Sequence, residues 1–492
     1  MVLRRHPRKG GNISGTWREI RGMGPQITEG AGSRSGSFGR SIVDESVGQP
    51  LHQRVGVTSS LTFPPAGSSP VSSRSEFVMV RRSVLGVVTI LTLVLGCVMV
   101  ANPVGAVVDS ATVVSAPSPG TSFTSSRAIS CVTASSCVAT GGFFSQAAGK
   151  VQTLALHWDG ASWTQVSSLS PGSNDNYLFS VSCVTAASCV AVGQYYSGND
   201  SPTFVLRWDG VSWTQMAAPS PSTIANRLSS VSCVSASSCV AVGAYFDGNV
   251  VQRTFALHWD GTSWTQMTTP NNGAAANSLF SVSCVSASSC IAAGLYDNGS
   301  GVYRTLIVRW DGVSWTPLTS PNNGSSDNGL MSVSCVSSSS CVAVGYYVNG
   351  SGAYQTLVLS WDGVLWAQVN SPNGGTNYNQ LSSVSCASES SCVAVGQSNN
   401  NDPSRTLVLS WDGVSWTLLA SPNSGSANNA LDAVSCASES SCVAFGSFYD
   451  GDGVQRTLML SLTGPEPEPT TTTTTAAGQT TPGDPVVPAF TG

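Results

Sequence analysis

Fourteen of the fifteen cysteines fall into seven pairs with the spacing C-x5-C, and thiols so placed can either oxidise to disulfides or hold a metal. The pairs are Cys131 and Cys137, Cys183 and Cys189, Cys233 and Cys239, Cys284 and Cys290, Cys335 and Cys341, Cys386 and Cys392, and Cys436 and Cys442, recurring every 50 to 52 residues. In a tight antiparallel hairpin, residues i and i+6 can stand opposite one another within the Cα separation a disulfide needs. Zinc sites favour closer cysteine spacing and recruit histidine. The array holds two histidines, His157 and His258, at one repeat position, where other repeats have Arg207, Arg309, Ser360 and Ser410. A position that accepts His, Arg or Ser is a strand surface, so disulfides are expected and no metal. Each bridge is worth about 2 kcal/mol in the chain-entropy model. Disulfides place the protein outside a reducing cytoplasm.

Carboxylates and indoles are the next candidates for chemistry. Six repeats carry W-D-G-x-x-W, with Asp159, Asp209, Asp260, Asp311, Asp362 and Asp412 at its second position. Six carboxylates suit acid–base work, but each precedes glycine, and turn chemistry accounts for that pairing. An exposed indole stacks on sugar faces, yet paired tryptophans bracketing a turn are placed to pack between neighbouring units. An enzyme needs one acid, base and positioning set that breaks the repeat. The departures are Asp175, Asp327, Asp432, Glu389 and Glu439, and the two glutamates are themselves repeated. No catalytic residue is expected. Asp450-Gly451-Asp452-Gly453 has calcium-ligand types in a loop without a paired-Asp counterpart elsewhere. Neither a phosphate-binding loop, a G-x-S-x-G elbow nor an H-E-x-x-H helix is present, and no cofactor is expected.

The elements that must position these residues are strands. In the repeat spanning residues 380–422, two β-rich runs, Ser383 to Cys386 and Cys392 to Gly396, flank a serine-rich turn. A third run, Arg405 to Trp411, alternates apolar and polar residues, and Asp412-Gly413 turns it into a fourth, Trp416 to Ala420. Self-similarity at this period, built from four-stranded antiparallel meanders, predicts an all-β, seven-bladed β-propeller. The seventh repeat ends at Leu462 without a fourth strand, while Ala111 to Ala116 aligns with a fourth strand that has no blade. That N-terminal strand should complete the last blade and close the ring, removing two exposed edges.

The W-D-G-x-x-W turn resembles the Asp-box and WD-type signatures of β-propellers, and the array from about Ala111 to Leu462 resembles secreted bacterial propeller-repeat proteins. Asp boxes have one more residue between Asp and Gly, and WD40 repeats carry a Gly-His pair missing here. The resemblance implies the fold and little about activity.

Outside the array, residues 1–78 are Arg-, Gly- and Ser-rich and aperiodic: a disordered extension, or sequence upstream of a true start at Met79. Residues 79–106 read as a signal peptide, with Arg81-Arg82 before an apolar run and Val104-Gly105-Ala106 as a small-residue cleavage site. Uncleaved, the same segment would be a signal anchor, the one expected route to a membrane. Residues 107–463 form the propeller, and the Pro/Thr-rich residues 464–492 read as a disordered stalk.

Charged residues are only 10% of the chain, the net charge is −5, and the two lysines are Lys9 and Lys150, so no basic patch suits nucleic acid. The connections between second and third strands, and between one repeat and the next, are long and variable and should share one face. Their candidate binding residues are Tyr296, Asn298, Tyr303, Asn322, Asn323, Tyr346, Tyr347 and Tyr354. The expected role is a secreted or cell-surface, non-catalytic binding or adhesion module, monomeric, for a glycan, cell-wall polymer or protein. The alternative is a propeller glycosidase or polysaccharide lyase.

Overall fold

The computed structural model describes residues 107–465, apart from 199 and 402; the segments 1–106 and 466–492, on which the expected signal sequence and stalk fall, lie outside the described residues. It is a seven-bladed β-propeller of four-stranded antiparallel blades, six of them running first to fourth strand in chain order and the seventh taking its fourth strand from the N-terminal end. Blade three is representative: Asn226–Ser235, Ser238–Phe246, Gln252–Trp259 and Trp264–Met267. First strands of successive blades pack against each other around the ring, so they are innermost.

Closure occurs as the repeat alignment predicts. Ser110–Val113 pairs antiparallel with Gln455–Thr463, matching Ala111 to Leu462 and Val113 to Leu460. The strand is shorter than the predicted Ala111 to Ala116, but its continuation still packs. Val114 and Ala116 lie against the core between blades seven and one, while Val108 lies in the core between blades six and seven with Ala111 packed against it.

Seven cores, one between each pair of neighbouring blades, hold the ring together. Between blades two and three, Val190, Val192 and Val205 meet Leu228, Val231, Phe255, Leu257 and Trp264. This is the apolar half of each alternating strand, and its removal from water is the main stabilising term.

The innermost strands run longer than the sequence runs suggest, because each is carried through two register shifts. At the first shift a glycine of the second strand faces the backbone closely. A Cβ on Gly243 would sit 1.9 Å from the Arg227 carbonyl oxygen, so only glycine fits there.

An innermost strand also has a free edge whose N–H groups need partners. Serines of the S-V-S-C run supply them. The Cys183 N–H donates to Ser130 Oγ of the preceding blade, Cys233 to Ser182, Cys284 to Ser232, and so on to Cys131 and Ser435, all at 2.9–3.0 Å. This belt runs unbroken through seven blades. A second belt, one dipeptide earlier, joins Ser180, Ser230, Ser281, Ser332 and Ser383 to the next blade's valine N–H at 3.1–3.2 Å. It has no hydroxyl where the repeat carries Ala128 and Ala433.

Candidate functional site

The short-turn face is built from structural chemistry. All seven cysteine pairs are disulfides, each joining directly opposed residues with Cα atoms 3.9–4.0 Å apart. In blade three the pairing runs Cys233 to Cys239, Cys239 to Trp259 and Trp259 to Trp264, so bridge and indoles form one row across the blade. The two rings stand 5.7 Å apart. Trp259 Nε1 donates to the Ala236 carbonyl in the turn between first and second strands, and five further blades repeat that bond. These indoles are packing groups.

The predicted Asp-Gly turn lies in the four-residue connection from Asp412 to Ser415, between tryptophans that close the hairpin. Asp412 Oδ1 accepts from the Val414 and Ser415 N–H groups at 2.8 and 2.7 Å. Those backbone bonds, the one from Ser415 foremost, hold its carboxyl below the usual carboxylate range. His157 packs against Trp208 of the next blade with ring centroids 4.5 Å apart, and burial lowers its pKa.

On the opposite face, the connection into each first strand folds around a buried side chain at that strand's start. Asn328 Oδ1 accepts from the Asn323 N–H at 2.7 Å, and its Nδ2 donates to the Ser326 carbonyl. Asn176, Asn226, Asn277, Asn379 and Asn429 accept equivalent bonds, with Thr124 in that place in blade one. Asn322 Oδ1 accepts from the Thr305 N–H at 2.9 Å, and Asn298 Oδ1 from the Ser300 N–H at 2.9 Å. The asparagines singled out in the sequence therefore shape the loops.

The tyrosines divide by exposure. Tyr346 is 3% exposed and its ring lies tilted against Tyr354 at 5.1 Å, which in turn lies tilted against buried Tyr378 at 5.0 Å. Burial raises the phenol pKa of all three. Tyr296 and Tyr347 pack against inter-blade cores, and Tyr303 remains half-buried, its N–H donating to Asp327 Oδ1 at 2.9 Å. The carboxylates are committed too. Asp175 Oδ1 accepts from the Val151 N–H, and Arg456 Nε donates to Asp450 Oδ2 at 2.8 Å in the Asp-Gly-Asp-Gly loop. Among the described residues no group of three His, Cys, Asp or Glu is placed to hold a metal.

What the sequence reading missed is the channel mouth. The residue skipped at the first register shift is Arg127, Phe179, Ser229, Phe280, Met331, Ser382 or Asp432 in blades one to seven. All seven are half-buried. They lie near the start of the innermost strands, at the long-loop end of the central channel. The Arg127 guanidinium lies 5.7 Å from the Phe179 ring centroid and that of Arg227 lies 4.2 Å from it, while Tyr177 stacks on the same ring at 5.9 Å. Residues from three successive blades thus converge. The available signal was the one strongly varying column just before the repeated hydroxyl-bearing run.

No protein-family model matches the chain, and no curated protein matches it in sequence. Among solved structures, it is similar to one described as YCF48 bound to D1 peptide, at 11% identity and a TM-score of 0.45 over 74% of this chain and 98% of that one. It is also similar to Chaetomium thermophilum Sqt1 bound to the N-terminus of ribosomal protein L10, at 10% identity and a TM-score of 0.41 over 70% of this chain and 99% of that one. A Dyadobacter fermentans protein of unknown function is similar at 10% identity and a TM-score of 0.40, over 73% of this chain and 100% of that one.

Proposed function

We propose that the chain is an extracellular, non-catalytic binding or adhesion scaffold that presents its long-loop face and channel mouth to a ligand: a glycan, a cell-wall polymer or a protein. One observation carries this reading. The disulfide repeats in all seven blades and its row of tryptophans in six, while the channel-mouth positions on the other face run through Arg, Phe, Ser, Met and Asp. Variable side chains on a rigid repeated frame are the arrangement of a recognition surface. The disulfides support an oxidising location.

The enzymatic alternative, a glycosidase or polysaccharide lyase, asks for carboxylates poised on substrate. The loop carboxylates instead hold backbone N–H groups or arginines: Asp175 and Asp327 the former, Asp247 and Asp450 both. The test is to screen the purified full-length chain on glycan, wall-polymer and peptide arrays, with mass spectrometry of the supernatants. Saturable capture without cleavage supports the scaffold. Product formation replaces it with the enzyme.

A further inference from the structure

The channel mouth is chemically lopsided. Cationic groups gather in blades one to three, where Arg127 and Arg227 lie beside Phe179. Phe280 and Met331, at the same bulge position in blades four and five, give the facing wall an apolar character. Phe179, Phe280 and Met331 belong to none of the seven inter-blade cores described above, and all three keep part of their surface. A half-buried phenylalanine and methionine outside every core are not there to hold blades together.

Charged residues are 10% of the chain. Two guanidiniums brought to one ring from two blades concentrate positive charge at a single point. Stacking on an aromatic face engages the flat of the guanidinium and leaves the direction of its in-plane N–H donors fixed, which suits a carboxylate. Asp432 stands in blade seven, beside the blade of Arg127, so the mouth carries two cations and one anion.

We propose that the channel mouth binds a peptide segment in which a carboxylate lies beside a large apolar side chain, the carboxylate taken by Arg227 and Arg127 and the apolar group by Phe280 and Met331. The inference rests on the binding role proposed above and narrows its ligand. A uronic-acid polymer would satisfy the arginines but has no apolar side chain for Phe280 and Met331. A peptide supplies both.

The probe is an array of twelve-residue Gly/Ser peptides, each with one Leu, Phe or Met beside an internal Asp or Glu, or beside a free C-terminal carboxylate. Matched peptides carry Asn, Gln or a C-terminal amide. The purified full-length chain should bind the acidic members, and the two acidic sets show whether the carboxylate is internal or terminal. Replacement by the amide, or Arg227→Gln, should weaken binding roughly tenfold to a hundredfold, the range for a charge-assisted hydrogen bond. Met331→Ser should weaken it less, and selectively for the Leu, Phe and Met members. Melting curves on the same samples confirm that the variants are folded. Equal capture of acid and amide, or capture unchanged in folded Arg227→Gln and Arg127→Gln, overturns the inference and leaves the scaffold reading in place. Arginine-dependent capture of polygalacturonate with no peptide bound overturns the peptide. No capture on any array removes both readings together.

Discussion

A single histidine shows how residue environment becomes a measurable property. His157 lies beside Trp208, and burial lowers its pKa from the ordinary 6.5. The unfolded chain then takes up the proton more readily than the folded one, so this residue leaves stability at its full value above about pH 6.5 and reduces it as pH falls toward the folded pKa. His157→Ser is a fair test, because the repeat already places Ser360 and Ser410 at that position. Melting temperature measured from pH 7.5 to 5 should fall less steeply in the variant. Parallel curves would show that the burial has no thermodynamic effect. Cysteine offers a second residue-scale test. Replacing Cys386 and Cys392 together by serine should cost about 2 kcal/mol in non-reducing buffer, with the gap narrowing once both proteins are reduced. An unchanged melting temperature would mean that the bridge between these opposed residues contributes nothing to stability.

At the scale of the element, the innermost strand poses the problem that the serines solve. Its outward N–H groups would face the channel, and hydroxyls from the blade before receive them instead. Ser232→Ala should therefore destabilise by about 1 kcal/mol, the typical net value of such a bond. Ala433→Ser, which offers a hydroxyl at one of the two places where the second belt lacks one, should stabilise by a similar amount. Denaturant unfolding of both variants measures this, and an Ala433→Ser protein no more stable than its parent would argue against the belt. Legibility from sequence also divides at this scale. The cysteine spacing was readable as a hairpin register because two covalently joined residues must be opposed. The serines of the innermost strands carried no such signal, since their partners lie about fifty residues away in the next blade. Tyr346 looked like a binding residue because its loop is long and polar, yet its ring is buried against Tyr354. A side chain's exposure in a loop depends on the neighbouring loop, which no single repeat reveals.

For the whole molecule, the decisive contact joins its two ends. The closing strand adds four residues to blade seven by pairing Ser110–Val113 with Gln455–Thr463. The same segment places Val108 in one inter-blade core with Ala111 packed against it, and Val114 and Ala116 against the next. It is therefore both a strand and a wedge between three blades, a role the alignment anticipated only as a strand. A chain starting at Pro117, secreted behind an exogenous leader, would lose both contributions and expose the edge of Gln455–Thr463 to pairing with another chain. It should melt at a lower temperature than the chain starting at residue 107 and elute as larger species, as measured by scanning calorimetry and light scattering after gel filtration. A uniform species with unchanged melting would mean that the inter-blade cores and serine belts close the ring without the strand. Because the channel-mouth residues of blades one and seven flank this seam, the truncation should also disturb Arg127 and Asp432 before it disturbs Phe280 and Met331. Binding of acidic peptides should then fall before binding that depends only on the apolar wall.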